Sequence, residues 1–241
     1  MSRSSTNFPT TRIDSWADLT KLIEHFSSFS AHDWLFRGVT EEGHGLVAKI
    51  GRPSTRAKKG GKRLPYKLAD EKALISMFKS QALSHVEQQT NTPLEWLALA
   101  QHFGMPTRLL DWTESLLVAA WFAVEKAGAK ASQTNAAIWV ARGVPTIDAD
   151  QTLDPLKIKS ACIYRPAHVS PRIAAQASVL MICPDPTTAV ALLFARKIPI
   201  TRTAEFTIKK RLNACGVNRR LNWPPENGHH EVCYCDFVEV V

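Results

Sequence analysis

Residues Leu97 to Glu125, LALAQHFGMPTRLLDWTESLLVAAWFAVE, set two apolar segments on either side of a polar insert, and how that insert is read decides the fold. Leu94, Leu97, Ala98, Leu99 and Ala100 return at helical spacing and predict a helix from about Leu94 to Phe103 with one face in a core. Gly104 suits the left-handed position just past a helix end, and Pro106 keeps Met105 extended, so the helix stops there. A second helix is predicted over about Ser115 to Glu125, capped by Asp111 or Thr113. Its residues Leu116, Leu117, Ala119, Ala120, Phe122, Ala123 and Val124 are apolar nearly all round, which implies burial between layers. Thr107 to Trp112, too short and mixed for a helix, reads as a linker close to the core. There His102, Thr107, Arg108, Asp111, Trp112 and Thr113 must be paired or line a cleft, because unpaired polar groups are costly to bury. One reading is architectural, an Arg108–Asp111 salt bridge pinning the linker; the other is a functional site.

Outward from this stretch, the spacing predicts a helix over Ser15 to Phe29 with Trp16, Leu19, Leu22, Ile23 and Phe26 on one stripe. A strand over Asp33 to Val39 follows, interrupted by Arg37 and Gly38. Arg37 is either an edge-strand arginine in solvent or a fixed guanidinium beside a glycine that lets a phosphate-bearing ligand approach the backbone. Glu41 to Pro65, rich in glycine and in Lys and Arg, reads as a mobile loop able to draw in an anion. Leu68 to Val86 returns to helix, with Asp70 and Glu71 placed favourably for its N-terminal dipole. Ala136 to Ala141, Ala177 to Cys183 and Arg196 to Ile200 read as strands, Asp148 to Ile158 as surface loop, Thr203 to Ala214 as helix, and Gly228 to Val241 as a closing strand. The class expected is α+β: helices packed on a mixed, mostly antiparallel sheet, one domain over 15–241 after a loosely ordered 1–14.

The chain has 241 residues, 45% of them hydrophobic, enough to bury a large core. A net charge of +8 points to an anionic partner: a small molecule or nucleotide, a nucleic acid or an acidic protein. Five cysteines without paired CxxC knuckles fit a reducing cytoplasm. His229, His230, Cys233 and Cys235 follow no common zinc-ligand spacing, so no metal is expected. The N-terminus has no charged start followed by an apolar run, and no apolar stretch approaches the roughly 18–20 residues of a membrane span, so neither export nor a membrane partner is expected.

Three pieces in order, FRG at Phe36 to Gly38, QHFGMPTRLLDWTESLLVAAWFA at Gln101 to Ala123, and RIAAQ at Arg172 to Gln176, resemble the FRG domain of bacteria and phages. The resemblance spans about Trp16 to Trp223, and its middle motif is the specific one. It implies a bacterial effector in a toxin or phage-defence context. The aromatic-Arg-Gly at the end of an early strand is also similar to the first motif of arginine-type ADP-ribosyltransferases, which implies an ADP-ribosyltransferase-like fold and NAD as substrate, for transfer of ADP-ribose or cleavage by a glycohydrolase.

On that resemblance Arg37, beside Gly38, anchors the dinucleotide, Trp112 or Phe103 forms a stacking wall, and Asp111 is the anion that stabilises an oxocarbenium-like centre. His102 orients ribose, Thr107 and Thr113 supply hydroxyls, and Arg108 either binds phosphate or neutralises Asp111. Gln176 takes the place of a glutamine preceding the transferases' catalytic acid, for which Glu205 and Glu231 are remote alternatives. Two other classes stay open: a nucleic-acid-binding or nuclease-like effector, favoured by the charge, and a non-catalytic interaction module in which PTRLLDWT is a buried clamp.

Overall fold

A computed structural model describes residues 8–30, 32–53, 58–59, 62–82, 92–128, 134–148, 153–166 and 178–218. Its strands are β1 (Leu35–Val39), β2 (Lys58–Lys59), β3 (Lys62–Arg63), β4 (Leu109–Thr113), β5 (Ala136–Arg142), β6 (Thr146–Ile147), β7 (Cys162–Tyr164), β8 (Ser178–Ile182) and β9 (Phe194–Ile200). The helices are α1 (Trp16–Ser27), α2 (Leu68–Ala82), α3 (Pro93–His102), α4 (Leu116–Val124) and α5 (Arg202–Ala214). Seven strands form one sheet in the order β6-β7-β8-β4-β1-β5-β9, while β2 and β3 pair separately. Every neighbouring pair is antiparallel except β6 with β7, so the domain is α+β on a mixed, mostly antiparallel sheet.

The helix ends follow from side-chain chemistry. Ser15 caps α1, accepting from the Asp18 amide, and Thr92 with Glu95 forms a reciprocal capping box at the start of α3. Gly104, at φ +87°, ends α3 in the left-handed conformation its position requires. Ser115, rather than Asp111 or Thr113, caps α4; the Thr113 hydroxyl accepts from the Ser115 amide just outside the helix.

The polar insert is not a linker. Leu109 to Thr113 is β4, an inner strand between β8 and β1, paired with β8 over its whole length from Leu109–Ile182 to Thr113–Ser178. Arg37 likewise stands on an inner strand, which removes the solvent-facing edge reading. β1 and β4 pair at Phe36–Thr113 alone, whereas β1 pairs with β5 from Leu35–Ala141 to Val39–Ala137. The sheet is nearly unlaced along this seam.

One face of β1, β5 and β9, with Phe36, Ile138, Val140, Ile198 and Ile200, packs on α1, α4 and α5. A second cluster holds Leu110, Trp112, Val179 and Met181 with Leu35, Leu46 and Ala48, and a third packs Leu109, Leu180 and Ile182 on Leu94, Leu97 and Ala98 of α3. Packing begins before Ser15: Phe8 is buried, and Ile13 bridges to Ile200. The predicted basic loop contains a 3-10 turn at Lys49–Gly51 and the β2–β3 ribbon. The expected strand at Gly228 to Val241 lies outside the described residues, and among those described no helix is long and apolar enough to cross a membrane.

Candidate functional site

A cavity of about 420 Å³ opens over the seam. β4 and β8 contribute Asp111, Thr113, Ser178 and Leu180; α3 gives Ala98, Gln101 and His102; α4 and the turn after it give Phe122, Glu125 and Lys126. Arg37 and Gly38 come from β1, and His44 and Arg52 from the chain that follows it. The volume lies in the range of small-molecule sites.

Arg37 and Asp111, 74 residues apart in sequence, meet here. Arg37 Nη1 donates to the Asp111 carbonyl, a backbone acceptor just beyond the one position at which β1 and β4 pair. The Asp111 carboxylate stands 3.9 Å from the same guanidinium nitrogen, with the Arg37 side chain 15% and that of Asp111 65% exposed. Arg37 Nε is buried without a hydrogen-bond partner. Burial pushes the Arg37 guanidinium below its ordinary value, and the nearby Asp111 carboxylate opposes that shift. Gln101 fixes the carboxylate: its Nε2 donates to Asp111 Oδ1 at 2.5 Å, while its Oε1 accepts from the Thr107 hydroxyl. Thr107 Oγ1 also accepts the Leu109 amide, so it is a buried link and not part of the cleft lining.

Arg108 points elsewhere. Its side chain is 2% exposed and pairs with Glu71 of α2, 1% exposed, through Nε–Oε1 at 2.9 Å and Nη2–Oε2 at 2.6 Å. Arg108 Nη1 donates to the Pro184 carbonyl at 3.2 Å, and the Tyr66 hydroxyl donates to Glu71. Burial alone would lower the Arg108 pKa, but Glu71 and Tyr66 more than offset it and the net direction is up. Arg108 therefore neither neutralises Asp111 nor reaches a ligand in the cleft, and the predicted Arg108–Asp111 bridge is replaced by Arg108–Glu71.

Residues 32–132 match the family model of the FRG domain. The chain carries an FRG domain. No curated protein and no solved structure matches the chain.

Each residue of the FRG motif has a separate physical task. Phe36 packs edge-on against Phe26 in the α1 core, and Arg37 reaches through the seam to the cleft. Gly38 borders the cavity, but its missing side chain is explained by helix packing: an added Cβ would fall 2.0 Å from the Ala119 carbonyl oxygen and 2.5 Å from the Ala123 nitrogen of α4. The reading of Gly38 as a place for phosphate to approach gives way to a close strand–helix contact. Trp112 borders the cavity but is 2% exposed, its ring held among Leu110, Val179 and Met181; Phe103 packs on Phe78 and is not in the lining. His102, at the end of α3, and Thr113 do line the cleft. Glu205 accepts the Ala136 amide at 2.9 Å on α5, outside the cleft; Gln176 and Glu231 lie outside the described residues.

Sequence reasoning missed Gln101, Phe122, Ser178 and the His44 wall, whereas Arg52 belongs to the basic Glu41 to Pro65 segment expected to draw in an anion. Gln101 was within reach, because it stands in the specific motif and precedes His102. Cys183 lies near Arg37, Arg108 and Arg52, but burial dominates and pushes its thiol up to about 12, which makes it a packing group rather than a nucleophile. Among the described residues no group of His, Cys, Asp and Glu has the arrangement to hold a metal ion.

Proposed function

We propose that the cleft of this FRG domain takes NAD as substrate, releasing nicotinamide and passing ADP-ribose to a macromolecule or to water, in a bacterial cytoplasmic effector of the toxin or phage-defence kind. The observation that supports this is the Arg37–Asp111 pair in one open cavity, with Arg37 Nε buried and unpartnered. The Arg37 guanidinium, lining the cavity with its side chain 15% exposed, offers a charge-assisted hydrogen bond to a phosphate oxygen. An exposed carboxylate held by Gln101 is placed to act on a developing cation.

In this reading Arg37 holds the diphosphate while Asp111 faces C1′ of the nicotinamide ribose. The C1′–N bond breaks and nicotinamide leaves with the bonding pair as a neutral base. The acceptor's lone pair forms the new bond to C1′, and the acceptor's proton passes to the Asp111 carboxylate. His102 and Thr113 border the ribose hydroxyls.

Incubating the full chain with NAD carrying label in its ADP-ribose part, with and without bacterial lysate, tests this. Label in protein or nucleic acid, or free nicotinamide, is the expected outcome; with neither product the proposal falls. A second reading, a nucleic-acid-binding effector, is favoured by the net charge of +8 and by the β2–β3 ribbon, whose four residues are all Lys or Arg. Its mark is an affinity for DNA or RNA that falls steeply with salt.

A further inference from the structure

Resting on the nucleotide reading of the cleft, we infer that Phe122 is the platform on which a planar ring of the ligand stacks, beside the cations that hold the ligand's anionic part. The site therefore selects a base-bearing diphosphate over a bare one.

α4 is sealed almost everywhere: Leu116, Val118, Ala119, Ala120, Trp121, Ala123 and Val124 are all buried. Leu117 and Phe122 are only half-buried, and of the two Phe122 is the one that borders the cavity. Three Phe and Trp residues line that cavity, and the other two, Phe36 and Trp112, are spent on the core at 3% and 2% exposure. Phe122 is the one with ring surface left to offer. Its place is fixed by Gly38, whose absent side chain lets α4 settle on β1 with Phe122 Cβ 3.0 Å from where a glycine substituent would begin.

Lys126, in the turn just after α4, lines the same cavity. With Arg37 and Arg52 it makes a cationic border around an aromatic wall. Stacking on such a wall tolerates any base, because every base has a π-face, and the cations require an anion within reach of the ring. A nucleoside diphosphate meets both demands, and inorganic pyrophosphate meets one.

The test is calorimetric titration of the full chain with ADP-ribose and, separately, with inorganic pyrophosphate, for wild type and for Phe122→Leu. ADP-ribose is expected to lose about tenfold or more in affinity on Phe122→Leu, the scale of one base stacked on one aromatic ring, while pyrophosphate affinity stays the same. Phe122→Tyr restores the wild-type value. Phe122→Met, of similar volume, serves in place of Leu if that variant fails to fold. If ADP-ribose binds wild type and both flat and non-flat variants equally, the stacking assignment is overturned and the nucleotide reading stands. If ADP-ribose does not bind wild type, the nucleotide reading itself fails and this inference goes with it.

Discussion

Two arginine–carboxylate pairs flank the same few residues, and they are built for opposite ends. Arg108 and Glu71 are sealed, doubly hydrogen-bonded and supported by Tyr66 and the Pro184 carbonyl. Arg37 and Asp111 are 3.9 Å apart, with the carboxylate mostly in solvent and one guanidinium nitrogen left without a partner. A sealed pair with all three guanidinium nitrogens engaged offers no face to a ligand; an open, mostly exposed pair adds little to stability. The motif TRLLDW thus carries a clamp on its arginine and a site on its aspartate. The clamp and site hypotheses, posed as rivals for one stretch, describe two residues three positions apart.

The contrast can be broken by substitution. The largest effect is expected from Arg108→Ala or Glu71→Ala, each leaving an unpaired buried charge at a cost of about 3–5 kcal/mol, read as a shift in the denaturant midpoint. An Arg108→Ala protein of wild-type stability would remove the clamp. Next comes Gly38→Ala: a methyl driven against the α4 backbone should cost about 3 kcal/mol by the same measurement, since neither Ala119 O nor Ala123 N can swing aside as a side chain could. Asp111→Asn should have the least effect on stability, within about 1 kcal/mol for a pair this exposed, while abolishing nicotinamide release. If Asp111→Asn unfolds the domain as readily as Arg108→Ala, the open pair is a second clamp and the division drawn here collapses.

Most of the helices and the inner strands were legible because apolar periodicity reports burial, and burial is what these elements are for. Trp16, Leu19, Leu22 and Phe26 announce α1, and AAIWVA announces β5. β4 was misread because it is covered on both sides, so Leu109 and Leu110 adjoin and a polar Asp111 follows, and the alternation that marks a half-buried strand is absent. β7, three residues long, gives no period to detect. The partner of Arg108 was hidden for another reason: Glu71 lies 37 residues upstream, in a helix first turn where an acidic residue already has a local explanation. The meeting of Arg37 with Asp111 was anticipated from chemistry, but the manner of it, a guanidinium bonded to a strand carbonyl at a seam, depends on register, which no local pattern encodes.

That seam divides the sheet into a four-strand part ending at β4 and a three-strand part beginning at β1, stitched by one residue pair and by an arginine side chain. Any molecule seated in the cavity touches both parts at once and becomes a cross-brace. Occupancy should then be readable far from the ligand, as slower amide hydrogen exchange in β4 and β1 together.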